Sequence, residues 1–374
     1  MAIKSIFDPQ YWAVVPFHFW SVAFFALGCI VGSFLNVCIH RMPLGMSIVS
    51  PPSHCPYCKY SIPWWLNVPL LTWLLLRGRC RNCSAPISPR YFIVELLTGV
   101  TFLACWEGHG SHLHPYLTMP LVLVYAAFIC GLIVATFIDI EHFIIPDEIT
   151  LGGTVVGVIL SFILPSLHGD HPHFLGLAHG LLGAAFGAGL VYTILRLGKL
   201  LFGRQRIKLP PRSTVVFTET DLHVLGKQIP YDELLYRDSD EIILHAQYLE
   251  LIDRGYWNVP VKLSKLRLQI GEETLDPNDV NYMEVVCDEM VLPREAMGLG
   301  DVKFMGAIGA FIGWQGALFS LMISSMLGAV VGLTLIVLQR REWSSRIPYG
   351  PYIAGAALAW LFGGKAVWNM IFAQ

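Results

Sequence analysis

Charged residues are scarce in this chain of 374 residues, because Asp, Glu, Lys and Arg make up only 14% of it. A soluble globular domain has about 25%. Six windows lack all four residue types, namely 9–40, 108–138, 149–169, 171–195, 304–339 and 347–364. Each window is near or above the roughly 17–25 residues that cross a bilayer as a helix. The lack of charge excludes a soluble globular protein and predicts an all-α, polytopic membrane helix bundle.

The number of spans follows from the windows and from the basic loops. Segment 91–106 is a shorter apolar stretch with Glu95 near its start and is a weaker span. Window 304–339 is long enough for two helices, with a turn expected at Gly313–Gly316, because both flanking segments are expected on the same side of the membrane. This gives about eight transmembrane helices.

Lys and Arg are distributed unevenly among the loops. They occur in loop 40–90, after residue 195 and in loop 340–346, whereas loops 107–118 and 165–174 have none. Cytoplasmic loops carry the excess of Lys and Arg. The basic loops are therefore expected in the cytoplasm and both chain termini outside it, with the first apolar segment retained as a helix. No nucleic-acid partner is expected, and membrane lipid surrounds the bundle.

Residues 199–297 differ in kind, since they combine many charges with short β-type runs such as Glu241-Ile-Ile-Leu244. They predict a small, mostly β cytoplasmic insert. The expected organisation is a first helix at 1–40, a cysteine-bearing domain at 41–90, helices 2–5 at 91–198, the insert, and helices 6–8 at 298–374.

Loop 41–90 carries two Cys-x-x-Cys knuckles, Cys55/Cys58 and Cys80/Cys83, with 21 residues between them. Two such knuckles in one loop predict a tetrahedral zinc site. Four thiolates leave no open position for water, so the zinc would be structural. Free or redox-active thiols are the alternative, and disulfides fit a reducing cytosol poorly.

Two aspartates lie at the ends of apolar segments. Asp139 follows an uncharged stretch, and Asp301 ends Gly298-Leu-Gly-Asp301 just before another. A carboxylate at membrane depth is costly and usually functional. Two that share one proton can perform water-mediated peptide hydrolysis. Either residue alone could also be an ordinary polar helix end, whereas Ile145-Pro-Asp147 is assigned to a helix start.

These motifs together resemble the bacterial type IV prepilin peptidase family. The resemblance is carried by Gly32–Arg41, both cysteine knuckles, Leu76–Cys80, Ile87–Tyr91, Glu95–Gly99, Asp139 with Asp147, and Arg294–Lys303. It implies a Gly-x-Gly-Asp intramembrane aspartic peptidase of the bacterial inner membrane, with Asp139 and Asp301 as the catalytic pair.

The resemblance also implies the substrates and a second activity. The partners would be prepilins or pseudopilins of type IV pilus or type II secretion systems, cut after a glycine at the cytoplasmic face. The new N-terminus would then be methylated with S-adenosylmethionine, although no motif assigns residues to that donor. The insert departs from most relatives, which have a shorter link there. Two other classes stay open, a proton- or ion-relaying transporter and a catalytically silent assembly factor.

Overall fold

The computed structural model describes residues 15–111, 115–169, 172–202, 204–235, 240–293, 298–338 and 348–372. The chain divides into two compact units. Unit 1 comprises Met1–Val191 and Leu299–Gln374, and unit 2 comprises Tyr192–Gly298. Residues 9–14 of the first apolar window, loop 340–346 and Arg294–Met297 of the quoted motif lie outside the described residues.

Unit 1 is built from helices. They are α1 (Phe17–Arg41), α2 (Leu71–Leu75), α3 (Pro89–His109), α4 (Pro115–His142), α5 (Asp147–Ile163), α6 (His173–Phe202, which continues into unit 2), α8 (Leu299–Val337), α9 (Gly350–Ala359) and α10 (Lys365–Phe372), with a π-helical turn at Trp360–Gly364 between the last two. Single 3₁₀ turns occur at Met42–Leu44, Trp64–Leu66 and Pro165–Leu167.

Five helices in the described part of the chain are long and apolar enough to cross a membrane. Their spans are Phe17–Leu44, Pro89–His109, Leu117–His142, His173–Leu200 and Leu299–Leu335. These helices support the predicted membrane-protein class, whereas the count of eight spans stays a prediction. Helix α5 has 17 residues, at the short end of the usual range.

Helix α8 contains the break that the glycines predicted. It runs for 39 residues, and Gly313 within it has φ 73° and ψ 176°, outside helical geometry. A side chain would strain this conformation, so glycine is suited to it. Two helical segments therefore join at the expected position, but without a connecting loop.

Close helix packing in unit 1 depends on glycine. A Cβ on Gly183 of α6 would collide with the carbonyl oxygen of Gly309 on α8, and a Cβ on Gly309 would collide with the carbonyl of Gly183. Small residues allow such backbone contact between membrane helices.

Unit 2 contains one antiparallel sheet of eight strands in the order β3-β2-β1-β8-β4-β5-β6-β7. The strands are β1 (Arg204–Thr218), β2 (Asp221–Val224), β3 (Lys227–Pro230), β4 (Ile242–Leu251), β5 (Gly255–Leu263), β6 (Leu268–Ile270), β7 (Glu273–Leu275) and β8 (Tyr282–Pro293). Helix α7 (Tyr231–Leu234) follows β3, and a 3₁₀ turn at Pro277–Asp279 precedes β8. The strand-rich insert is confirmed.

The sheet has its own core because alternate strand residues point to one face. Val215, Phe217, Leu244, Leu249 and Val285 are among the side chains that pack there. The first and last strands are neighbours, with Arg204 paired to Pro293 and Thr218 to Tyr282. The chain therefore enters and leaves this sheet at adjacent positions.

Candidate functional site

Asp139 is held by the main chain of another helix. It lies near the C-terminal end of α4 and is only 6% exposed. Its Oδ2 accepts a hydrogen bond from the backbone N–H of Gly350, at the start of α9, at 2.8 Å. No hydrogen bond to its Oδ1 is found among the described residues. One oxygen is thus fixed in orientation, and the other remains for a water or a substrate.

Glycine at position 350 leaves the space that the Asp139 carboxylate occupies. A Cβ at Gly350 would lie 2.8 Å from Oδ2 and 3.2 Å from Cγ of Asp139, closer than side chains normally approach. The preceding residue anchors this helix start to α8, since the Tyr349 hydroxyl hydrogen-bonds to Ser324 Oγ at 3.0 Å and to Ser325 Oγ at 2.9 Å.

Asp301 occupies the first turn of α8 and is half-buried. An acidic residue is favourable there because the helix N-terminus carries a partial positive charge. The neighbouring Gly300 faces Ile145, whose Cβ would be 3.6 Å from a Cβ built at Gly300. Lys303, two residues after Asp301, forms an ion pair with Asp147, in which Nζ lies 2.7 Å from Oδ1.

Both aspartates border the same short connection, residues 143–146. The Phe143 N–H donates to the backbone oxygen of Asp139 at 3.0 Å, and Ile145 contacts the Gly-x-Gly-Asp segment. Helix α9 packs against both α4 and α8. The structure therefore brings the two acid-bearing helix ends to the same end of unit 1.

The other acids of this region have different surroundings. Glu141 forms an ion pair with Arg90. Asp147 begins α5, as the Pro146 signal predicted, and pairs with Lys303. Glu148 is exposed. By contrast, Asp139 is buried, and its carboxylate is held in the described part of the chain by a main-chain amide alone.

Gly350 is the residue of this site that sequence analysis missed. Asp139 is 211 positions away in the chain. The only local signal is that Pro348-Tyr-Gly-Pro351 opens an uncharged window, which indicates a helix start but names no partner.

The four predicted metal-ligating cysteines come together. All four sulfur atoms lie within 4.8 Å of one another. Cys55 Sγ is 3.8 Å from Cys83 Sγ, and Cys58 Sγ is 3.9 Å from Cys80 Sγ. Tetrahedral coordination with Zn–S bonds of about 2.3 Å would place sulfurs about 3.8 Å apart. The donor set and its spacing therefore fit a metal ion with four thiolate ligands.

The two knuckles form matching turns. Cys55 N–H donates to Tyr60 O at 3.0 Å, and Cys80 N–H donates to Ala85 O at 2.8 Å. In each turn the residue after the second cysteine has positive φ, 58° at Lys59 and 59° at Ser84. The Asn82 side chain donates to Cys58 Sγ at 3.6 Å. This hydrogen bond, together with a backbone one at Tyr60 and the neighbouring thiols, lowers the pKa of Cys58 to about 6, which favours the thiolate that metals bind.

Comparison with known proteins gives a consistent result. The bacterial peptidase A24 N-terminal domain matches residues 26–108, and the type IV leader peptidase family matches residues 126–209 and 281–333. Together these ranges span more than half of the chain. No solved structure matches significantly.

The curated relatives that match this chain include three proteins that are named prepilin leader peptidase/N-methyltransferase. The Myxococcus xanthus protein is 41% identical over 49% of this chain and 57% of its own length. The Aeromonas hydrophila protein is 28% identical over 94% of this chain and 93% of its own. The Neisseria gonorrhoeae protein is 34% identical over 48% of this chain and 65% of its own length. The matched ranges include both aspartates and all four knuckle cysteines, and the chain belongs to the type IV leader peptidase family.

Proposed function

We propose that the chain is a prepilin leader peptidase and N-methyltransferase in which Asp139 and Asp301 form the catalytic pair. The observation that carries the peptidase assignment is the placement of both acids beside residues 143–146, with one oxygen of Asp139 fixed by Gly350. Amide hydrolysis by a pair of aspartates needs the two carboxyl groups in different protonation states.

In the proposed mechanism, the ionised aspartate takes a proton from water, and the water oxygen attacks the scissile carbonyl. The protonated aspartate donates a hydrogen bond to the carbonyl oxygen. The tetrahedral intermediate then collapses, and the leaving amine takes a proton from the pair. The Gly350 amide holds Asp139 in orientation during these steps, without itself exchanging a proton.

The substrate is proposed to be a prepilin or pseudopilin whose basic leader is cut after a glycine at the cytoplasmic face of the inner membrane. The basic loops would repel such a leader, so acidic groups are expected to recognise it. Glu141 is already paired with Arg90, which leaves exposed Glu148 as the better candidate.

Zinc is the proposed occupant of the four-cysteine cluster, where it would hold the loop 41–90 in shape. S-adenosylmethionine is the proposed methyl donor, and its contribution would be an activated methyl group. Neither group takes part in the proposed peptide cleavage.

The test uses Asp139→Asn and Asp301→Asn separately, with a purified leader-bearing substrate in detergent. Each variant is expected to lose leader cleavage by at least about 10³-fold, because an amide cannot act as the acid or base. Asp147→Asn is the matched control, since its carboxylate pairs with Lys303. It should retain cleavage within severalfold.

Normal cleavage by either catalytic variant would refute the pair. Failure of the wild-type protein to cleave would favour a transporter or a silent assembly factor instead.

A further inference from the structure

Unit 1 contains another buried carboxylate, on a helix that carries neither Asp139 nor Asp301. Glu95, on α3, is 8% exposed. Its Oε2 accepts a hydrogen bond from Leu70 N–H at 2.8 Å. In the described part of the chain no Lys, Arg or His forms an ion pair with it. A buried carboxylate without a cation is costly, and at membrane depth it indicates function.

A second buried acceptor lies on the neighbouring helix α1. Asn36 of α1 is 1% exposed, and its Nδ2 donates to Gly32 O and to Tyr91 O at 3.3 and 3.1 Å. Its Oδ1 has no hydrogen-bond partner among the residues that the structure describes. Glu95 lies one helical turn after Tyr91. The two helices touch there, since a Cβ on Gly32 would be 2.8 Å from Glu95 Cα. The Asn36 oxygen therefore lacks a donor, and the Glu95 carboxylate, although it accepts from Leu70 N–H, has no positive charge paired with it among the described residues.

A groove of about 220 Å³ lies beside the segments that surround Glu95. Its lining combines α1 with the cysteine-bearing loop and comprises Ile30, Ser33, Phe34, Val37, Ser53, Asn67 and Pro69. Ser33 lies near the Glu95 carboxylate, and Pro69 precedes Leu70, whose amide donates to that carboxylate. Both walls of the groove, the one from α1 and the one from the cysteine-bearing loop, therefore include a residue next to Glu95 or to its hydrogen-bond donor.

The shape and polarity of the groove restrict its occupant. Ile30 and Phe34 are 60% and 48% exposed and belong to a candidate span, so this side faces lipid. Ser33, Ser53 and Asn67 supply polar groups. The volume is below the roughly 300–1,000 Å³ of pockets that enclose a cofactor-sized ligand. A single terminal residue attached to an apolar helix fits better than a nucleoside.

We propose that Glu95 and Asn36 bind a primary ammonium, the N-terminus of the apolar helix that remains after leader removal. An ammonium has three donors and one positive charge, which satisfies the Asn36 oxygen and neutralises Glu95. The proposal rests on the proposed function, since this amine is the methyl acceptor. It assigns the amine to α1 and α3, whereas cleavage is assigned to α4 and α8.

The test measures binding without any methyl donor. A labelled peptide with the N-terminal sequence of the processed substrate is titrated in nanodiscs, with a free amine and in N-acetylated form. Wild-type protein should bind the free amine at least about tenfold more tightly, as expected for a charged hydrogen bond. Glu95→Gln should reduce this preference to less than about twofold. It keeps an oxygen for Leu70 N–H and so preserves the loop contact.

The matched control is Glu107→Gln, on the same helix, whose carboxylate accepts from Ser21 Oγ at 2.5 Å. It should retain the preference. Leader cleavage is measured in parallel, and Glu95→Gln should cleave at the wild-type rate.

Three outcomes would overturn the inference. The first is that Glu95→Gln binds the free amine with the full wild-type preference. The second is that Glu95→Gln loses leader cleavage as well as the preference. The third is that wild-type protein cleaves the leader but shows no preference for the free amine. If wild-type protein prefers the amine but does not cleave, the peptidase assignment fails and the amine site stands.

Discussion

At the scale of single residues, the orientation of Asp139 depends on a main-chain group. The donor is the Gly350 amide, and glycine suits this position because a side chain would displace the carboxylate. The role of Asp139 therefore depends on Gly350, which holds its carboxylate in position.

Gly350→Ala is expected to reduce leader cleavage by about 10–100-fold, because the added methyl group displaces the Asp139 carboxylate and small misplacements of a reacting group are costly. The unfolding temperature should change little. The measurement is kcat/KM for leader removal alongside thermal unfolding in detergent.

Gly355→Ala is the control for this prediction. It lies on the same helix, and a Cβ there would meet open space. Wild-type cleavage by Gly350→Ala would contradict the positioning role.

At the scale of secondary-structure elements, the contact between α6 and α8 sets how closely these helices pack. Gly309→Ala places a methyl group against the Gly183 carbonyl. The expected loss of stability is about 1–3 kcal/mol, as for other overpacked sites. Thermal unfolding in detergent measures it.

Gly152→Ala on α5 is the comparison, since a Cβ there would also meet open space. It should be neutral or slightly stabilising, because alanine restricts the unfolded chain more than glycine does. Equal unfolding temperatures for the two variants would show that the α6–α8 contact can separate without cost.

The two knuckles form a second element with a testable role. If zinc is the occupant, as proposed, Cys58→Ser should bind less than the one zinc ion per chain expected of the wild-type protein, because one of four thiolates is lost. The same variant should expose loop 41–90 to proteolysis. Atomic emission and limited trypsin digestion measure these effects.

Cys130→Ala, on α4 and away from the cluster, should keep the metal and the protease resistance. Equal zinc content in Cys58→Ser would exclude the cluster as the binding site.

The elements also show which features the sequence could predict. Cysteine spacing, uncharged windows and Gly313 are local signals, and the structure has a thiol cluster, long apolar helices and a break at those positions. The hydrogen-bond partners of Asp139 and Glu95 could not be predicted from the sequence. Gly350 and Leu70 donate through their backbone N–H groups, which every residue except proline has, so residue type does not reveal them. Strand order in the insert likewise depends on pairing between distant residues.

At the scale of the whole molecule, the sheet of unit 2 has its own core and neighbouring ends. Arg204 and Pro293 are paired, and paired residues of antiparallel strands have Cα atoms about 4.5–5.5 Å apart. A linker of three residues spans roughly 10 Å and can replace the sheet.

Replacing residues 204–293 with Gly-Ser-Gly is expected to retain leader cleavage within about threefold, because segments with adjoining ends tolerate removal. Cleavage and detergent-soluble yield are the measurements. Removing only 242–275 is the contrasting variant, since it leaves β8 without its β4 partner and should aggregate. Loss of cleavage in the clean excision would assign the insert an essential role.

The adjacent ends of the sheet also bear on how such an enzyme acquires new properties. A domain gained or lost at this junction alters chain length without requiring new geometry around Asp301. A sensor or adaptor can therefore be fused to an existing membrane peptidase, or removed from it, in a single genetic event.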